Sequence, residues 1–185
     1  SIEPGTPMKI GELTIEWFRV CHSIPDAMGL IIDTPLGKVV HTGDFKIDHT
    51  PVDGKATDLG VLADLTKDGV LLLLSDSTYA EVPGYTASEK VVGEALDRVV
   101  GDASGRVVVA TFASLISRVQ QLIDVATKHD RKIAFVGRSM VENVKLALRL
   151  GYLYAPDGIM VTINELSNLP QNRIVIVTTG SQGEP

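Results

Sequence analysis

The chain has 185 residues, enough for one good core or for one domain and part of another. Its 44% hydrophobic and 22% charged content is that of an ordinary globular protein, and it contains no apolar run of the ~18 residues that a membrane-spanning helix needs. A net charge of −6 argues against a dedicated non-specific nucleic-acid binder, which neutralises phosphates with clustered Lys and Arg, but leaves room for an enzyme that holds a few phosphates locally.

A single cysteine, Cys21, excludes an internal disulfide. With no basic, apolar leader at the start, it fits a reducing, cytoplasmic setting. From the N-terminus, Leu13, Ile15, Trp17 and Val20 alternate as in an antiparallel sheet. Gly29 to Ile32 and Lys38 to Val40 then flank a turn at Thr34-Pro35-Leu36-Gly37. A short helix is expected over 57–67. Val70 to Ser75 is a continuous apolar run, the pattern of a strand covered on both faces.

After a composition shift near Glu81-Val82-Pro83-Gly84, helix and strand alternate strictly. Thr86 to Glu89 reads as a capping box before a helix with Val92, Ala95, Leu96 and Val99 on one stripe. Strands are expected at 107–110, 132–136 and 173–177. Between them lies a helix carrying Leu115, Val119, Leu122, Ile123 and Ala126. A second capping box, Ser139 to Glu142, opens a helix that stops at Gly151. This is a right-handed βαβ series around a mainly parallel sheet. The chain opens directly into a strand and closes on GSQGEP, which looks like an active loop, so it reads as a piece of something larger.

Chemistry-bearing residues gather in two places. Cys21-His22-Ser23 and His41 to His49 (HTGDFKIDH) bring His22, His41, Asp44, Asp48 and His49 to the ends of β-like runs. Imidazoles and carboxylates on strand ends are the donors of a hydrolytic zinc centre, although turns and loop hydrogen bonds use the same residues. His129 is the remaining histidine and sits where a last-turn cation favours a helix. Asp76, just past the apolar run, could orient a ligand imidazole or, flanked by Ser75, Ser77 and Thr78, serve as a turn or cap aspartate.

The second place is a crest of small residues after the three parallel strands: Thr111 to Ser114, Gly137-Arg138-Ser139, and Thr178 to Gly183. Ligands bind open parallel sheets at the carboxyl ends of their strands, and free helix amides favour anions. Ser114, Arg138, Ser139, Gly180, Ser181 and Gln182 are therefore candidates for binding phosphate or RNA. Serine caps and glycine turns are the alternative. No GxGxxG or GxxxxGK[ST] is present, so no dinucleotide or NTP site is indicated.

HSIPDAMG, HTGDFKID, LLLLSDSTYAEVPG, VVVATFAS, RVQQLID, VGRSM, LGYL and TTGSQGEP follow one another in this order across nearly the whole chain. Together they closely resemble the ribonuclease J family, metallo-β-lactamase enzymes with an inserted β-CASP domain. The resemblance implies a partial metallo-β-lactamase sheet over residues 1–82 and most of a β-CASP three-layer α/β domain over 83–185. It implies that His22 ligates one zinc ion, that Asp44 bridges two, and that Asp76 is the acidic residue beside them. Asp44 and Asp76 are thereby the catalytic candidates, while His41 and His49 match no ligand position. The implied activity is zinc-dependent 5′-to-3′ exonuclease and endonuclease hydrolysis of RNA, leaving 5′-phosphates, in a cytoplasmic dimer or tetramer.

The family's HxHxDH motif would lie upstream and its HxSGH motif downstream of these residues. Ser117 and Tyr79 stand where many relatives have histidine and asparagine. With only His22 and Asp44 as ligands, this chain by itself is expected to hold zinc weakly. The alternative is a metal-free module that binds phosphate or RNA.

Overall fold

Two units partition the chain, one made of Ser1–His22 with Asp26–Ser88 and the other of Ser23–Pro25 with Glu89–Pro185. The computed structural model describes residues 2–65 and 67–180.

The first unit is built on a sheet in the order β1-β2-β3-β4-β5: β1 (Met8–Ile10), β2 (Leu13–Arg19), β3 (Met28–Thr34), β4 (Gly37–His41) and β5 (Leu72–Leu74). Neighbours are antiparallel from β1 to β4, and β5 joins β4 in parallel, with His41 opposite Leu74. The turn predicted between β3 and β4 closes through the Thr34 hydroxyl, which donates to Gly37 O (2.8 Å) and accepts the Leu36 N–H (3.1 Å). Period-2 alternation sends Phe18, Val20, Ile31 and Val40 to one face, where α1 (Leu59–Leu65) covers them with Val61, Leu62 and Leu65. Phe18 lies opposite Gly29, where a Cβ would come within 2.2 Å of the ring, so only glycine leaves space for it.

The apolar run departs from expectation. Val70 to Leu74 are 40–59% exposed rather than covered on both faces. Among the described residues β5 is the last strand of the sheet and pairs with β4 alone, and α1 packs against the face that carries Phe18, Val20, Ile31 and Val40.

In the second unit β6 (Val107–Ala110), β7 (Lys132–Val136) and β8 (Ile174–Thr178) form a wholly parallel sheet in the order β6-β8-β7. The three strands match the predicted ones to within a residue. One face carries Val107, Ile133, Val175 and Val177 against α3 (Ile116–Lys128) and α4 (Arg138–Leu150). Helix α2 (Glu89–Asp102) joins this core through Leu96 and Val100. Val119 and Ile123 on α3 are 0% exposed, and each such burial is worth about 1.5–3 kcal/mol. The opposite face, Ala134, Ile174 and Ile176, is covered by Leu166 and Leu169 of the segment leading into β8.

Both helix starts differ from the capping-box reading. Helix α2 begins at Glu89, three residues after Thr86, and the Glu89 carboxylate pairs with Arg118 of α3. Helix α4 begins at Arg138, with Gly137 as its N-cap and no side-chain cap bond, so Ser139 lies inside the first turn. Gly137 has φ +99°, which serine tolerates poorly, and that fixes the cap two residues earlier than Ser139. The predicted stop holds: Gly151 takes φ +78° and its N–H returns to Leu148 O.

Candidate metal centre and strand-end crest

In the first unit each residue from His41 to Phe45 has a distinct task. The His41 ring Nδ1 accepts the Gly43 N–H at 3.0 Å, which makes this histidine a turn former. Thr42 is buried; its N–H donates to Leu74 O (3.0 Å), and its hydroxyl donates to Gly43 O (2.7 Å) and accepts the Asp76 N–H (3.0 Å). Gly43 has φ +62°, and a Cβ there would meet Met28 O at 2.9 Å. Asp44 follows, its side chain 78% exposed and its Oδ2 3.8 Å from His22 Nε2. Phe45 returns to the core beside Phe18 and Leu65.

His22 is brought in from the end of β2. Cys21 bridges to Lys46, whose N–H donates to Cys21 O at 2.8 Å. The buried Thr57 hydroxyl spans the same pair of segments, accepting the Cys21 N–H (2.8 Å) and donating to Lys46 O (3.0 Å). Asp76 lies past β5. Its carboxylate is held below the usual carboxylate range first by the Thr78 N–H, then by the Thr78 hydroxyl, the Phe45 N–H and the nearby His22. A cleft of about 410 Å³ is lined by His41, Gly43, Asp44, Leu73, Leu74, Ser75 and Asp76.

Chemically, a borderline-soft cation suits an imidazole and a carboxylate 3.8 Å apart with exposed oxygens. His22 and Asp44 fit as one side of such a site. Among the described residues no group of three or more His, Cys, Asp and Glu gathers to close it. Asp48 lies apart as a buried loop residue that accepts the Thr50 N–H and pairs with Lys46, and His49 is exposed.

In the second unit the loops after β6, β7 and β8 share one sheet edge: Ala110 and Val136 both pair with Thr178, and Thr111 N–H donates to Thr178 O. Gly137 approaches Thr179 so closely that a Cβ would sit 3.0 Å from its hydroxyl. Ser139 and Gly180 are exposed on this edge. Arg138 is also exposed, and its Nε donates back along α4 to Glu142 Oε1 at 3.2 Å. Ser114 lines an apolar depression of about 230 Å³ with Ile116, Asn143 and Tyr152. Ser181, Gln182 and Gly183 lie outside the described residues.

Residues 104–185 match the family model for the β-CASP domain of ribonuclease J. The whole chain is 49% identical to Ribonuclease J of Thermus thermophilus, 99% of it is 49% identical to that of Helicobacter pylori, and all of it is 50% identical to that of Synechocystis sp..

Over its whole length the chain is similar to ribonuclease J.

It spans 32%, 27% and 29% of those relatives' lengths, so it corresponds to about a third of a ribonuclease J chain. A crystal structure of a protein of unknown function from Enterococcus faecalis has the same fold, with a TM-score of 0.67 over 99% of this chain and 45% of its own length, at 17% identity. Sequence reasoning selected His22, Asp44 and Asp76; His22 lies 3.8 Å from Asp44, and Asp44 and Asp76 line one cleft. It passed over Thr42 and Thr57. The only signal for Thr42 is a hydroxyl residue between a strand end and the Gly-Asp turn, and Thr57 carries no local signal.

Proposed function

We propose that residues 1–185 are the central segment of a metal-dependent ribonuclease that hydrolyses RNA phosphodiesters from the 5′ end and internally, leaving 5′-phosphates. One observation carries the reading: His22 and Asp44 meet at 3.8 Å in a chain 49% identical, end to end, to a ribonuclease J. Residues 1–82 are then part of a metallo-β-lactamase domain and 83–185 most of a β-CASP domain. The same reading makes RNA the substrate, the cytoplasm the compartment and a homo-oligomer the working state.

His22 and Asp44 would hold one side of a zinc ion, and the other donors would come from outside these residues. When bound, the ion supplies acidification of a water molecule and neutralisation of charge on the phosphodiester. The chain's own groups set the conditions for that. Asp44 and Asp76 both present carboxylates to the cleft, and hydrogen bonding keeps Asp76 ionised. Each would repel an RNA phosphate, by about 1 kcal/mol at 4 Å even in bulk water, so the phosphate enters favourably only beside a cation. At the other site, Ser114, Arg138, Ser139, Gly180, Ser181 and Gln182 would take the 5′-terminal phosphate. Arg138 must leave Glu142 to do so, a cost of only about 0.3–0.5 kcal/mol for an exposed i,i+4 pair.

The test uses the longer protein that carries these residues. With 5′-monophosphorylated RNA it should release products bearing 5′-phosphates, and a chelator should stop it. Asp44→Asn should cost more than the 10–100-fold that losing an outer partner of a ligand costs. RNA binding without hydrolysis, unaffected by chelator, would instead establish the metal-free module.

A further inference from the structure

We infer that two buried threonine hydroxyls, Thr42 and Thr57, are positioning residues that set the spacing of His22, Asp44 and Asp76. This rests on the metal-centre reading above. Three different stretches of chain carry the three site residues, and no backbone ladder joins all of them at the point of use. Strand β4 pairs with β5 only as far as His41 and Leu74, and β2 ends at Arg19, before His22. Beyond those strand ends the stretches are joined by the Lys46 N–H bond to Cys21 O, the Phe45 N–H bond to Asp76 and the two threonines.

Thr42 links the Asp44 loop to the Asp76 loop. Its N–H reaches Leu74 O, and its hydroxyl accepts the Asp76 N–H while donating to Gly43 O, the carbonyl that immediately precedes Asp44. Thr57 links the His22 segment to the far side of the Asp44 loop. Its hydroxyl accepts the N–H of Cys21, which precedes His22, and donates to the carbonyl of Lys46, two residues after Asp44. Asp44 is thus held from both sides, by a hydroxyl before it and a hydroxyl after it. Each hydroxyl uses its donor and its acceptor capacity on the backbone of two separate segments. Both side chains are less than 10% exposed, so water cannot replace either bond cheaply.

A threonine kept only for packing would be replaced by valine, its near-isostere, at no functional cost. A positioning threonine would not. Losing the Thr42 hydroxyl leaves the Asp76 N–H and Gly43 O without their partner, so the two carboxylate loops can part. Losing the Thr57 hydroxyl strips the Cys21 N–H and Lys46 O of their partner and leaves one backbone bond, Lys46 N–H to Cys21 O, to hold the His22 and Asp44 segments together. Neither threonine touches the cation or the RNA; each acts through the residues it holds.

The experiment measures zinc affinity by calorimetry on the metal-stripped longer protein, with melting temperature and RNA hydrolysis recorded in parallel. Thr42→Val and Thr57→Val should each weaken zinc binding about tenfold, the lower end of the range for a partner one bond removed from a ligand. They should lower kcat by a similar factor while leaving KM for RNA within about twofold. Thr42→Ser and Thr57→Ser, which keep the hydroxyl, should restore most of the affinity. A valine variant with a lower melting temperature but unchanged zinc affinity would overturn the inference and leave an ordinary packing role. A serine variant as impaired as the valine one would overturn it too, because the hydroxyl would not be the cause. Asp44→Ala separates the two levels of the argument. If it leaves zinc affinity intact, the metal-centre reading fails and this inference falls with it; if it abolishes binding while the valine variants bind normally, only the inference fails.

Discussion

The carboxylate loop of the first unit and the crest of the second start from one topological position and develop it differently. Both lie just past the carboxyl ends of parallel strands, β4 beside β5 in one and β6, β8 and β7 in the other. In the first, backbone turns and buried hydroxyls leave the Asp44 side chain exposed at a fixed point near His22. In the second, the backbones converge at Gly137 and Thr179, but Arg138 lies along its own helix with Glu142. A shared sheet edge brings loops together; whether side chains converge depends on what fixes each loop. By that measure the Asp44 loop is fixed by its own hydrogen bonds, whereas Arg138 at the crest is paired along its helix.

The largest effect should come from the support beneath the first site. Phe18→Ala empties the centre of a small core and should cost about 3–5 kcal/mol, read as a shift in the urea midpoint. Zinc binding should disappear with the fold. If it survives, the loop does not depend on the sheet and the contrast is broken. A smaller and selective effect is expected at the crest. Arg138→Ala should slow decay of 5′-monophosphorylated RNA severalfold more than internal cleavage, while stability changes by less than about 0.5 kcal/mol. Equal losses in both assays would assign Arg138 a general RNA-binding role and remove the 5′-phosphate reading.

Acid titration sharpens the comparison further. The Asp76 carboxyl sits below its ordinary value of 3.8 in the folded chain, so its contribution to stability is fully present above that value. It is lost only as pH falls through the lower folded value. The stability difference between the wild type and Asp76→Asn should therefore be flat above about pH 5 and shrink only below pH 3.8. A difference that vanishes near pH 6 would show that Asp76 is not held as described. The smallest effect is expected at an exposed pair that belongs to neither site: Asp64→Ala, which removes the ion pair with Lys67, should move stability by less than about 0.5 kcal/mol.

How much of this was legible in the sequence depends on what sets each feature. The parallel strands of the second unit were readable because aliphatic runs between helical stripes reflect local burial, and Ile133, Val175 and Val177 are indeed buried. The helix starts were not. Ser139 has the composition of a cap, but the positive φ of Gly137 fixes the turn, and φ is a property of the fold around it. Val70 to Leu74 carries the pattern of a covered strand, yet cover is a property of neighbours, and β5 stands at the end of its sheet. At the site, His22, Asp44 and Asp76 could be picked out from residue type and from likeness to a family. Thr42 and Thr57 could not, because their hydrogen bonds join residues 34 and 36 positions apart.

The most direct test of the central claim is elemental analysis after exhaustive dialysis, made on the longer protein, on its His22→Ala and Asp44→Ala variants, and on residues 1–185 alone. The account predicts zinc retained by the longer protein, lost from both variants, and weakly held at most by the isolated segment, because two ligands fall short of the three or four that a stable site uses. Full retention by both variants, or two tightly held ions on residues 1–185 alone, would contradict it.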